Sequence, residues 1–256
     1  MNNAPFDFSG ATALVIGGAS GLGRAIAEGL ASHGAHVAIA ARQLDKARAV
    51  ASEMAAQTGA AVRACSADLT SEASVAALGP FIEETFGGQL NIGVNSGGTN
   101  IRNPIDGISL AEFETVQRTN ITGAFLFART VHPYLRKAGW GRLIHITSIF
   151  SSRSFPGRTS YASSKGALLQ LTRTLALEWA AESITVNAIS PGPIATDMMK
   201  PVIADPRRAE EFLRRIPMNR FGEPHEIATA ALFLASPASS FVTGADVVVD
   251  GGWMSA

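Results

Sequence analysis

A single cysteine, Cys65, stands in 256 residues, which leaves no partner for an intramolecular disulfide and no cysteine-rich zinc site. Charge is scarce as well. Asp, Glu, Lys and Arg make up 16% of the chain, and 21 basic residues balance 21 acidic ones. That balance excludes a protein that holds nucleic acid through bulk basicity. No apolar run reaches the ~18 residues of a membrane span. Met1 to Gly10 has neither the basic nor the apolar segment of a secretory signal. The expectation is a cytoplasmic protein with no membrane or nucleic-acid partner. The histidines at 33, 36, 132, 145 and 225 are scattered without metal-ligand spacing, so no metal is expected.

What the chain does have is hydrophobic residues, at 46%, arranged as short runs between helix-length segments. The runs Ala11–Ile16, His36–Ala41, Ala61–Cys65, Asn91–Val94, Arg142–Thr147, Ile184–Ile189 and Val247–Val249 read as strands. Leu22, Ile26 and Leu30 form a helical stripe, as do Leu168, Leu171, Leu175 and Trp179. Helices are also expected over Leu44–Gln57, Ser71–Phe86 and Pro224–Ala235. Another opens with a capping box, Ser109 with Glu112, and runs toward Lys137. Apolar strands alternating with helices mean a parallel sheet covered on both faces. With no linker, repeat or low-complexity tract in view, the fold class is α/β: one doubly wound, Rossmann-like domain over 1–256, with about seven strands.

The first strand runs into Gly17-Gly18-Ala19-Ser20-Gly21-Leu22-Gly23 and then a helix. Glycines there let a dinucleotide pyrophosphate approach the backbone and meet free N–H groups at the helix N-terminus. Gly17, Ser20, Gly21, Leu22 and Gly23 are therefore cofactor-binding candidates, although such a turn also occurs without a ligand. The second strand ends in Ala40-Ala41-Arg42. An acid at that place would bind the adenosine ribose of NAD; here it is missing. Arg42 suits a 2′-phosphate, which favours NADP(H), with a solvated strand-end arginine as the other reading.

Tyr161 and Lys165 lie four apart, on one face of a helix. A tyrosine is a poor base at neutral pH, and a nearby ammonium lowers its pKa. Ser148 follows the strand Arg142–Thr147, at the carboxyl edge where such sheets bind ligands, and can hydrogen-bond a substrate oxygen.

These residues give the chain a resemblance to the short-chain dehydrogenase/reductase family. It is carried by Gly17-x3-Gly21-x-Gly23, Asp68-Leu69, Asn95-Ser96-Gly97-Gly98, Asn120, Ser148, Tyr161-x3-Lys165 and the stretch Pro191-Gly192-Pro193-Ile194-Ala195-Thr196, all in family order. The resemblance implies a catalytic set of Asn120, Ser148, Tyr161 and Lys165. Tyr161 would move a proton at the substrate oxygen. Lys165 would hold the nicotinamide ribose and lower the tyrosine pKa, with Asn120 supporting a water relay behind it. Asp68 and Leu69 would lie at the adenine and Asn95 at the cofactor. Pro191, Gly192, Ile194 and Thr196 would lie along the nicotinamide side. Ile16 stands where many relatives have threonine, which leaves one turn hydrogen bond missing; Ser96-Gly97 replaces the usual Asn-Ala, and since serine and glycine fit a tight loop no loss of activity is expected.

The implied activity is hydride transfer between NADP(H) and a carbonyl or secondary alcohol, on a sugar acid or a 3-oxoacyl thioester. An NAD preference, or a non-catalytic nucleotide-binding protein on the same scaffold, are the alternatives. Asp205 and Pro206 read as N-cap and N1 of a helix, in a stretch (197–217) that the resemblance makes a substrate lid. Arg102, Arg153 and Arg158 fall on loops near the mouth; each is either solvated or able to hold a substrate carboxylate. The resemblance also implies a homotetramer, with a dimer as the fallback, built on the two helices Ser109–Lys137 and Ser160–Ala181 and on the edge strand Val247–Val249.

Overall fold

The computed structural model describes residues 6–256. In chain order it contains β1 (Thr12–Ile16), α1 (Gly21–Ser32), β2 (His36–Ala41), α2 (Leu44–Thr58), β3 (Val62–Ser66), α3 (Glu72–Ala76) and α4 (Leu78–Phe86). β4 (Ile92–Asn95), α5 (Leu110–Gln117), α6 (Gly123–Lys137), β5 (Gly141–Ile146) and α7 (Thr159–Trp179) follow. The chain ends with β6 (Ile184–Pro191), α8 (Lys200–Ile203), α9 (Pro206–Leu213), α10 (Pro224–Ala235) and β7 (Asp246–Val249).

All strand pairs are parallel, in the order β3-β2-β1-β4-β5-β6-β7. The apolar runs are continuous because each strand is buried on both faces. In β1, Ala13 and Val15 point into a core with Ile26 and Leu30 of α1, Met54 of α2 and Ile227 of α10. Leu14 and Ile16 point the other way, toward Ile82 of α4, Phe127 of α6 and Trp179 of α7. The order reverses between β1 and β4. Chain segments leaving these two strands diverge to opposite faces, so a crevice opens at their carboxyl ends.

Two helices expected to be continuous are not. The stretch Ser71–Phe86 divides at Ala77 into α3 and α4. The capping box of Ser109 and Glu112 is present at the start of α5. Before α6, however, the backbone makes a π turn over Arg118–Thr122, in which the Gly123 N–H donates to the Arg118 carbonyl. The cause is a close approach. A Cβ on Gly123 would lie 2.6 Å from the Leu69 side chain and 2.7 Å from its carbonyl. The extra residue in the turn carries Asn120 inward, where it is fully buried. Such π turns often mark functional sites. Among the described residues, no helix is long and apolar enough to cross a membrane, and no cluster of His, Cys, Asp and Glu could hold a metal.

Candidate active site

The carboxyl ends of the strands bring nearly every candidate residue to one edge of the sheet. β1 delivers the glycine turn. Gly17 takes a positive φ of 80°, and a Cβ there would lie 2.9 Å from the Gly97 nitrogen, so only glycine lets the turns after β1 and β4 touch. The Ser20 side chain does not cap α1, and the first turn of α1 holds no acid. The free N–H groups and positive end of the helix dipole are left for an anion. At the end of β4, the Asn95 Oδ1 accepts from the Gly97 N–H at 3.1 Å, while its buried Nδ2 has no partner. An uncapped helix start beside an orphaned amide donor fits a bound dinucleotide.

The residues expected at the adenine end also stand together. Asp68 accepts from the Thr70 N–H at 2.9 Å and its hydroxyl at 2.8 Å. Those bonds, the backbone one first, hold its carboxyl below the usual range, with a smaller contribution from the Arg42 charge. Arg42 is exposed and, among the described residues, has no carboxylate within 4.0 Å. Beyond β6, the bridge between Ile194 and Gly222 pins the segment that follows Pro191 and Gly192. Thr196 lies across the start of α1: a Cβ on Gly21 would sit 3.7 Å from its methyl group. A cavity of about 380 Å³ opens at this junction, between Gly21, Thr196 and Lys200.

The polar centre lies at the end of β5. Ser148 is buried, and its hydroxyl accepts from the Phe150 N–H at 3.2 Å. Ser190 fixes the adjoining backbone by donating to the Ser148 carbonyl at 3.0 Å. Tyr161 and Lys165 project from the first turns of α7. Burial pushes the Tyr161 phenol above its ordinary value, against the pull of a hydrogen bond with Ser148 and the charges of Arg158 and Arg102. Lys165 is 4% exposed, and its ammonium donates to the Ile146 carbonyl at 2.7 Å. Burial lowers its pKa from 10.5 to about 8.

Sequence reasoning gave Lys165 the task of lowering the tyrosine pKa. The Lys165 ammonium stands 5.7 Å from the Tyr161 ring centroid, on the same face of α7, and donates to the Ile146 carbonyl. Arg158 and Arg102 also bear on the phenol, each pulling its pKa down. Asn120 is also more engaged than its expected role suggests. It donates to the Thr99 carbonyl and to the Ser164 hydroxyl, both at 2.9 Å, and accepts from the Thr99 N–H at 2.8 Å. It thereby ties the loop after β4 to α7.

Arg158 departs most from expectation. A solvated loop charge was one of its two readings, yet it is only 6% exposed. Its guanidinium packs over the Phe150 ring, 5.3 Å from the centroid. The signal in the sequence was its place three residues before Tyr161, but nothing local announced its burial. Arg153 stays exposed and donates to the Met254 carbonyl at 3.0 Å. The Cys65 thiol is half-buried against the α4 side of the core, and burial pushes its pKa up to about 12. It is inert at neutral pH.

Comparison with known proteins agrees over nearly the whole chain. A family model described as enoyl-(acyl carrier protein) reductase matches residues 17–254. A tropinone reductase homolog of Arabidopsis thaliana is 36% identical over 97% of this chain and 94% of its own. The 7alpha-hydroxysteroid dehydrogenase of Escherichia coli strain K12 is also 36% identical, over 98% of this chain and 97% of its own. The crystal structure of a gluconate 5-dehydrogenase from Burkholderia cenocepacia J2315, in complex with NADP and tartrate, superposes with a TM-score of 0.94. Its identity is 33%, covering 98% of each chain.

Proposed function

The chain belongs to the short-chain dehydrogenase/reductase family, and from that premise we propose that it interconverts a carbonyl and a secondary alcohol with NADP(H), using Tyr161 as the proton donor and acceptor. The observation that carries the reading is the convergence of Ser148, Tyr161 and Lys165 at the end of β5, beside the uncapped glycine turn. When bound, the nicotinamide supplies or takes the hydride at the substrate carbon. Ser148 orients the substrate oxygen, which lies between its hydroxyl and the phenol. Tyr161, protonated at neutral pH as any phenol is and held so more firmly by burial, donates to that oxygen in reduction. In oxidation it must first give up its proton, so alcohol oxidation should rise with pH while reduction stays level through neutrality. Lys165 holds the nicotinamide ribose from its anchor on Ile146. A panel of sugar acids, 3-oxoacyl thioesters, steroids and small ketones, followed by nicotinamide absorbance with each nucleotide, tests the reading. No turnover on any of them with either nucleotide would refute it.

The preference for NADP(H) rests on Arg42, which no carboxylate neutralises, and on Ala41 at the end of β2. Arg42→Ala should raise the KM for NADPH by ~10–150-fold, the worth of a charge-assisted hydrogen bond, and leave that for NADH nearly unchanged. Ala41→Asp should move preference toward NADH. Equal effects on both nucleotides would make Arg42 a solvated charge.

We also assign the segment 197–217, with α8 and α9, as a lid. Asp205 caps α9 by accepting from the Arg207 and Arg208 N–H groups. Phe212 packs on Trp253 at 5.8 Å, and Arg215 lies 4.6 Å over the Phe155 ring, so the segment rests on loops at the mouth of the site. Homotetramer assembly is supported by two separate exposed apolar surfaces. Leu110, Phe125 and Leu177 mark one, on α5, α6 and α7; Phe233, Phe241 and Val248 mark the other, at the β7 edge. Light scattering should give a mass near four times 26.7 kDa. Twice that chain mass would leave only one of the two interfaces, and a monomer at micromolar protein would refute assembly.

A further inference from the structure

We propose that Arg158, together with Arg102, forms a subsite for a carboxylate carried by the substrate close to its reacting carbon, so that the substrate is a short hydroxy or oxo acid. This deepens the oxidoreductase reading and rests on it. The two arginines are brought together by the backbone. Asn103 bridges to Arg158, and the Ser160 hydroxyl donates to the Ile101 carbonyl at 3.2 Å, which fastens the loop after β4 to the start of α7. Arg158 is 94% buried, by its 6% exposure, yet among the described residues it has no carboxylate within 4.0 Å, and no hydrogen bond from its guanidinium is present. Arg102 on the facing loop has no carboxylate partner either. The Arg158 nitrogens are not among the buried polar atoms left without a partner, so the guanidinium lies within the fold but opens to the site, where a ligand oxyanion can reach it.

The position of the pair says what the ligand is. The Phe150 ring lies against both Arg158, at 5.3 Å, and the Tyr161 ring, at 6.4 Å. An oxyanion held by Arg158 therefore belongs to the same end of the substrate as the oxygen that Tyr161 protonates. A 3-oxoacyl thioester offers no charge at that end, whereas a short sugar acid does. The guanidinium fork matches a carboxylate in a bidentate manner. The electrostatics agree: burial and then the charge of Arg102 lower the Arg158 pKa to about 10, and Arg208 of α9 bears on Arg102 in the same sense. Arg208 itself pairs with Asp205 at 3.4 Å, so the charge left for an incoming anion is that of Arg158 and Arg102.

The test is calorimetric titration of the full chain loaded with NADPH, which cannot oxidise these alcohols, using D-gluconate and L-tartrate as acids, D-glucitol as the neutral counterpart and D-glucitol 6-phosphate as the phosphate arm, with the NADPH affinity read on the nucleotide-free chain. At least one acid should bind at least ~10-fold more tightly than D-glucitol. Arg158→Met should lower that acid's affinity by ~10–150-fold, the range of a charged hydrogen bond, and leave D-glucitol and NADPH affinities unchanged. Arg158→Lys should recover part of the loss. Arg102→Met lies on an exposed loop and reads the same subsite if the buried variant does not fold; it should cost the acid alone. Equal loss for acid and alditol, or no preference for either acid, would overturn the subsite. Tighter binding of the phosphate ester would overturn the choice of carboxylate. Because the readout is binding, these outcomes are separate from a failure of turnover across the substrate panel, which would overturn the oxidoreductase reading instead.

Discussion

Tyr161→Phe is expected to lower turnover by at least ~10²-fold, the low end for loss of a general acid–base group, while the nucleotide still binds. The substitution removes one hydroxyl and leaves the ring against Phe150. Ser148 keeps its bond from the Phe150 N–H, and the one partner lost is the phenol oxygen that its hydroxyl met, a cost of about 1 kcal/mol, small against the stability of a domain. The fold should therefore be unaffected, and the loss should fall on kcat rather than on the KM for the nucleotide. Single-turnover and steady-state rates with any substrate accepted by the wild type decide the matter. A Phe variant with near-wild-type kcat would remove Tyr161 from the chemistry and leave Ser148 or a water as the proton source.

The strands were legible because each is buried on both faces, so runs such as Leu14–Ile16 and Val37–Ala40 carry no polar interruption. The glycine turn, Ser148 and Tyr161 were legible because chemistry demands those residue types at strand and helix ends. Other features depend on contacts far along the chain. The π turn at Asn120 is set by Gly123 meeting Leu69, and no periodicity within 109–137 records that approach. Arg158 reads as an ordinary loop arginine until Asn103 pairs with it. The helical spacing of Tyr161 and Lys165 placed them on one face, but not the Ile146 carbonyl that claims the ammonium. Sequence thus gave the site's inventory, while the partners that set its electrostatics emerged only from tertiary pairing.

Lys165→Met is expected to abolish most turnover and to change how stability depends on pH. Folding lowers the lysine pKa from 10.5 to about 8 because the ammonium loses water. The drop corresponds to about 3 kcal/mol against the charged form in the native state. Below pH 8 the native lysine is charged and carries the full penalty. Between pH 8 and 10.5 the unfolded chain binds more protons at this site than the native one, so unfolding becomes harder as pH rises. Above 10.5 both states are neutral and the penalty is gone. Methionine carries no such penalty at any pH, and the remaining titrating groups are shared by the two proteins. The difference in unfolding free energy, wild type minus variant, should thus grow in favour of the wild type by about 3 kcal/mol from pH 7 to pH 10.5, most of it above pH 8. Denaturant titrations of both proteins without nucleotide at several pH values measure it, since bound nucleotide would add its own stabilisation. A difference that stays constant across this range would mean that Lys165 keeps an ordinary pKa in the folded protein. Its bond to Ile146 would then hold an ammonium that water still reaches.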